Sequence, residues 1–295
     1  MGFRLTVPVI AYHARYSLNA SLEVISLLFI SFIALRALSS IMMGYIVEFH
    51  RRFMYIPSLF MCLNAVVTIM FSWSKDLFSY TSLRAVQGML SGGSWPFIQL
   101  TLALLVPVNI RGRIMAIYFM IGSLGIFLSN LMYASLCGLS LALQLTISSL
   151  FLLLAAISFL IAVHCSFPSL VSLKQYTRPS YSGERREIKP ESIVKPMLIG
   201  VFVISFVTCY TMGELSYVYV VESLSVSREV AAIILGVTGV IGLIASYVVS
   251  WIGDKYSDVL AMFISIFFSF IWALFPTLQK YYILLYRLKL NSSVN

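Results

Sequence analysis

The sequence predicts an all-α, polytopic membrane protein, a bundle of about eight complete transmembrane helices. Composition is the first reason: 60% of the 295 residues are hydrophobic, 11% are charged, and mean hydropathy is +0.95. Water-soluble domains of this length are not built from such a mixture. The second is that the apolar residues gather into windows of about 20, the length of helix that crosses a bilayer. The third is where the charge sits. The net +9 arises from Lys and Arg in short segments between the windows, as in basic loops at a membrane face, which argues against a nucleic-acid partner.

Taken in order, residues 1–21 hold a short apolar piece, Leu5 to Tyr12, with Pro8 inside and Arg4 and Arg15 on its flanks. It is too short to span and has no signal-peptide cleavage pattern. Windows follow at about 24–47, 54–73, 78–106, 113–136, 139–163, 197–220, 230–252 and 257–276, each long enough for a tilted span. Between the fifth and sixth lies a soluble stretch, 165–195, with Pro168, Pro179, Gly183, Pro190 and the run Glu184-Arg185-Arg186-Glu187. It reads as a flexible linker between an N-terminal half, 1–164, and a C-terminal half, 196–295.

Alternate loops are basic: Arg51 and Arg52; Arg111 and Arg113; Lys174, Arg178, Arg185, Arg186, Lys189 and Lys195; then Lys255. The opposite internal loops hold Lys75 and Arg228, so the first set, linker included, is expected on the cytoplasmic face of the cell membrane. An even span count puts both tails outside, with Arg4, Arg15, Lys280, Arg287 and Lys289 there. Positive charge on both outer tails is what clipping of a longer chain leaves behind.

The stretch from Leu83 to Gly125 carries the most information. Arg84, Gln87, Gly88, Ser91, Trp95 and Gln99 fall within about 60° of one line on a helix, a polar and small-residue stripe on an otherwise apolar span. In lipid that stripe must face protein or water. Arg84-x-x-Gln87-Gly88, then Pro96, then the basic turn Arg111-Gly112-Arg113 resemble the fourth span, its proline break and the following loop of the major facilitator superfamily of secondary transporters. The resemblance covers the chain from about Phe3 to Pro276 and makes its windows the family's second through ninth spans. It implies two pseudo-repeated halves rocking about a central solute site, with no covalent chemistry and no cofactor.

Two further segments fit that family. Gly44-Tyr-Ile-Val-Glu48-Phe-His50-Arg51-Arg52 resembles its loop between spans two and three, with Glu48 in the acidic place and Phe49 and Arg51 departing from the pattern. Gly253-Asp254-Lys255 repeats the acidic and basic places about 206 residues later, the spacing of two six-span halves. Gly44, Glu48, Arg52, Arg111, Arg113, Asp254 and Lys255 are therefore gating-loop candidates, an acidic side chain at a helix end facing basic groups of a neighbouring loop. Plain positive-inside charge is the competing explanation.

Inside the windows, Arg36 lies about 18 Å from either end at 1.5 Å per residue. Left uncompensated there it costs about 2.5–3.5 kcal/mol, so it faces the interior as a solute contact or as half of an interhelical pair. Arg84, nearer the outer end, either snorkels or lines the cavity. Glu214 shares a helix face with Tyr210 and Tyr217; it is either a buried proton carrier or an ordinary exposed glutamate. Arg36, Arg84, Gln87, Ser91, Gln99, Tyr210, Glu214 and Tyr217 make up the expected solute pathway. Two arginines against one glutamate favour an anionic solute; the coupling ion stays open, a proton being one candidate.

Other readings have less support. Cys62, Cys137, Cys165 and Cys209 lack metal-site or disulfide spacing, and His13, His50 and His164 sit at span ends. No paired carboxylates lie in a window, so an intramembrane enzyme is not expected. The family's solute site draws on its first, fourth, seventh and tenth spans, and most of the first and all of the tenth have no counterpart here. A truncated, non-transporting remnant is thus the alternative expectation.

Overall fold

The computed structural model describes residues 2–49, 55–106, 111–172, 213–256, 260, 263–268 and 271. Every regular element among them is helical. In chain order these are α1 (Gly2–Tyr12), α2 (Leu22–Phe49), α3 (Ile56–Met70), α4 (Leu77–Leu105), α5 (Arg111–Leu136), α6 (Leu141–Ser172), α7 (Glu214–Leu224) and α8 (Arg228–Lys255). Residues 263–268 are helical as well. One compact unit takes in the described residues up to Ser172 together with Gly213–Leu243, and the described part of a second unit begins at Ile244.

Among the described residues four segments are long and apolar enough to cross a membrane: Leu22–Gly44, Ile117–Leu136, Leu141–Cys165 and Arg228–Val249. The helix α3 has 15 residues, shorter than its window. The burial pattern is inverted relative to a water-soluble protein. On α4, Arg84, Gln87, Ser91 and Ser94 are buried while Val86, Met89 and Leu100 are exposed. On α2, Leu27, Ile30, Leu38 and Ile41 face outward. Such continuous apolar surface needs lipid rather than water around it.

Local chemistry explains the helix ends. Asp76 caps α4: its backbone is extended, and its carboxylate accepts from the Ser79 N–H at 2.7 Å and from the Ser79 hydroxyl at 2.8 Å. These bonds hold the Asp76 carboxyl below its ordinary range. Pro57 stands in the first turn of α3, where a missing N–H does no harm.

The Leu5–Tyr12 piece belongs to α1, whose residues Leu5 and Val7–Tyr12 are buried, and α1 packs against α5, α6 and α7. Arg4 lies half-buried on α1. One expectation is corrected. The window 197–220 is interrupted at Gly213, whose φ of +103° and ψ of −160° suit glycine alone. The helix α7 starts only after it, at Glu214, and residues 197–212 lie outside the described part, as does most of 257–276.

The tightest packing is α2 against α4. A Cβ added to Gly88 or Gly92 would overlap the backbone carbonyl of Phe32 or Arg36 respectively. The Ser40 hydroxyl donates across the same seam to the Gly92 carbonyl at 3.1 Å. Two glycines four apart let the backbones meet, as small residues do between membrane helices. This contact fixes Arg36 and Arg84 on neighbouring helices around one interior.

Candidate functional site

Arg84 projects from α4 into the bundle, 1% exposed, and forms an ion pair with Glu214, which is 0% exposed. It does not snorkel. The break at Gly213 makes Glu214 the first residue of α7, where the positive end of the helix dipole favours its charge. Beyond the ion pair, neither Glu214 oxygen has a hydrogen-bond partner, and Arg84 Nε has none either.

A polar chain continues from Arg84. Its Nη1 donates to Gln87 Oε1 at 2.7 Å, Gln87 Nε2 donates to Thr68 Oγ1 at 2.9 Å, and the Thr68 hydroxyl donates to the Asn64 carbonyl at 2.8 Å. Thr68 and Asn64, both on α3 and both buried, escaped the sequence reading because neither is charged nor part of a motif. A buried Asn and Thr on an apolar helix are the signal that could have found them.

Aromatic rings close the other side of the guanidinium. Phe3 and Phe32 stack at 5.1 Å, and the Arg84 guanidinium carbon lies 5.3 Å from the first ring centroid and 4.5 Å from the second. Arg36 lies 5.9 Å from the Phe32 centroid. Cation–π contact offsets part of the cost of taking these charges out of water.

Of the remaining pathway candidates, Tyr217 is buried one turn beyond Glu214 and donates to Asn130 Oδ1 at 2.7 Å, while its carbonyl accepts from Tyr12 Oη at 3.1 Å. Ser91 is buried with no hydrogen-bond partner. Gln99 is half-buried beside the Tyr118 hydroxyl. Tyr210 lies outside the described residues. Arg84, Gln87, Glu214 and Tyr217 thus come together, and Arg36 and Gln99 stand on the same interior.

The gating-loop candidates are less accessible to description. Gly44 is exposed on α2 with open space around it. Glu48 lies in the last turn of α2, Arg111 and Arg113 open α5, and Asp254 and Lys255 close α8, but their side chains lie outside the described part. Arg52 lies outside it altogether.

A second cluster sits at the opposite ends of the helices, where α1 runs into a wide turn, His13–Ser17. Arg15 Nε pairs with Glu222 Oε1 at 2.6 Å, and Arg15 Nη1 donates to the Ala20 carbonyl at 2.8 Å. Arg228 lies 5.6 Å from the Tyr12 centroid and 4.5 Å from that of Tyr16. The Cys137 thiol donates to Glu229 at 2.7 Å, and burial together with this carboxylate pushes it up to about 11. Among the described residues no group of His, Cys, Asp and Glu is arranged to hold a metal ion.

No curated protein matches the sequence. The family model of the Major Facilitator Superfamily matches residues 1–288, almost the whole chain. Together with the apolar helices and the buried charge between them, this match places the chain in the major facilitator superfamily, as a multi-pass helical membrane protein of that family of transporters.

Proposed function

We propose that the chain moves a small solute across the cell membrane by alternating access, coupled to a proton, and that Glu214 carries that proton. The observation behind this reading is the buried Arg84–Glu214 pair. Taking both charges out of water costs several kcal/mol per ion, which their attraction offsets only while they remain together. Protonation of Glu214 in this scheme releases Arg84 and breaks the ion pair that ties α4 to α7. In the two-half organisation, 1–164 and 196–295 joined by a cytoplasmic linker at 165–195, α4 and α7 belong to different halves. The pair then holds one access state, and the proton biases the exchange to the other.

Gly44, Glu48 and Arg52 with Arg111 and Arg113, and Asp254 with Lys255, serve as latches on the cytoplasmic side in this scheme. The interior carries more positive than negative charge, which favours an anionic solute. The test is reconstitution of the full chain in liposomes with a trapped pH indicator. Sugars, amino acids, organic acids and aromatic cations are then offered in turn. One class is expected to drive proton movement in the native chain and none in E214Q. If no class moves in liposomes that hold folded protein, the transport reading is wrong.

A further inference from the structure

Arg84 is held at two of its three side-chain nitrogens. Nη1 donates to Gln87 Oε1 at 2.7 Å, and Gln87 is itself fixed by its bond to Thr68 Oγ1 at 2.9 Å. Nη2 pairs with Glu214 Oε1. Nε has no acceptor, and Glu214 Oε2 has no donor. The Phe3 and Phe32 rings lie against the guanidinium carbon, at 5.3 and 4.5 Å from their centroids. The Nε–Nη2 edge therefore holds one carboxylate oxygen where its parallel N–H groups match two. Glu214, which supplies that oxygen, is the first residue of α7, directly after the break at Gly213. A change in the glycine torsions there carries the carboxylate away without breaking a helix hydrogen bond.

Charge decides what can take its place. Arg84 and Glu214 together carry no net charge. A proton on Glu214 alone leaves Arg84 uncompensated, and an anion on Arg84 alone leaves Glu214 so; each is costly where the side chains are 1% and 0% exposed. A proton and a singly charged anion arriving together restore the balance, whereas a dianion leaves an excess. The charged and titratable groups around Glu214 are Arg84 from α4, Arg4 and Tyr12 from α1 and Tyr217 on α7, while α2 presents the Phe29 ring at Gly213. Arginine and tyrosine both keep their protons near neutral pH, so Glu214 is the group that takes one up.

We propose that the Nε–Nη2 edge of Arg84 is the binding site for a monocarboxylate solute, that Glu214 occupies it as an internal substitute, and that one proton enters with each carboxylate bound. This inference deepens the transport reading and rests on it for the movement of the solute. The exchange at Arg84 is tested by binding alone.

The purified full chain in detergent is titrated by calorimetry near neutral pH with benzoate, benzamide or succinate. Benzoate is expected to bind and to take up one proton per molecule, read from the dependence of the heat on the buffer's ionisation enthalpy. Benzamide is expected to be inert, and succinate weaker. In E214Q the competing carboxylate is gone, so benzoate is expected to bind about 5–150-fold more tightly, the usual range of coupling between two sites, and without proton uptake. R84K keeps the charge but loses the fork, and is expected to bind at least about tenfold more weakly. R84M/E214L is expected to melt cooperatively and to bind no benzoate. Proton uptake is read on the native chain, so a failure of E214Q to fold leaves the decisive measurement in place. The site is overturned if benzoate does not bind, if it binds without proton uptake, if folded E214Q binds it no more tightly, or if R84M/E214L binds it as well. Benzoate binding with proton uptake but no movement in liposomes would sink the transport reading and leave the site. Proton-coupled movement of another solute class by a chain that binds no carboxylate would do the reverse.

Discussion

Two Arg–Glu pairs use opposite ends of the same short helix. Glu214 opens α7 and meets Arg84 in the interior, while Glu222 in its last turns meets Arg15 at the periphery. The side chains of the first pair are 1% and 0% exposed, those of the second 29% and 33%. At Glu222 water solvates the remaining lone pairs and screens the attraction, and the helix dipole is unfavourable. Glu214 is closed off from solvent and the dipole is favourable, so the partner is indispensable. Identical residue types thus hold the outer ends together weakly and the interior strongly.

The largest effect expected from breaking this contrast is at the inner pair. E214A or R84A strands a buried charge and is expected to cost about 3–5 kcal/mol of stability. Replacing both at once, as R84M/E214L, is expected to recover most of that loss, since an apolar pair carries no desolvation cost, less about 1–3 kcal/mol for the buried Gln87 Oε1 left without its Arg84 donor. Thermal melting of the three variants in detergent decides this. Equal losses in single and double variants would show that packing, rather than charge, makes the site costly to change.

The outer pair is expected to behave in the opposite way. A double-mutant cycle on R15A and E222A is expected to give a coupling below about 1 kcal/mol, shrinking as salt is added. The cluster does not depend on it, because Arg228 still lies over Tyr12 and Tyr16. A coupling as large as that of the inner pair would erase the distinction between the two ends of α7.

The contrast also explains what could be read from the sequence. The long spans were legible because their apolar runs exceed anything a soluble fold needs; α2, expected at 24–47, occupies Leu22–Phe49. The stripe of Arg84, Gln87 and Ser91 was legible because helical period alone aligns it, and all three are buried. The state of Glu214 was not legible. Read within a continuous 197–220 window it sits near a membrane surface; only the break at Gly213 places it at the start of a helix, facing Arg84. The packing of α1 was equally hidden, because a short apolar piece with a proline is too weak a signal to reveal that α5, α6 and α7 pack against it. Both failures concern tertiary partners, which local pattern does not encode.

A smaller effect sharpens the contrast through pH. His13 follows α1 in the outer cluster, half-buried, with its Nδ1 2.6 Å from Tyr80 Oη and its ring stacked on the tyrosine at 5.5 Å. Burial holds its imidazole below the ordinary histidine value. The neutral ring is therefore the folded form, and the unfolded chain takes up the proton first as pH falls through about 6.5. Below that value the unfolded state binds more protons than the folded one, so stability present at neutral pH is lost on acidification. Melting temperature is expected to fall modestly between about pH 7 and about pH 5 in the native chain, and less in H13Q. The effect is smaller than that of either ion pair because a half-buried ring keeps part of its solvation, so the charged form is disfavoured only in part. Should H13Q retain the full slope, the titrating group lies elsewhere, and the His13–Tyr80 contact would count as packing alone.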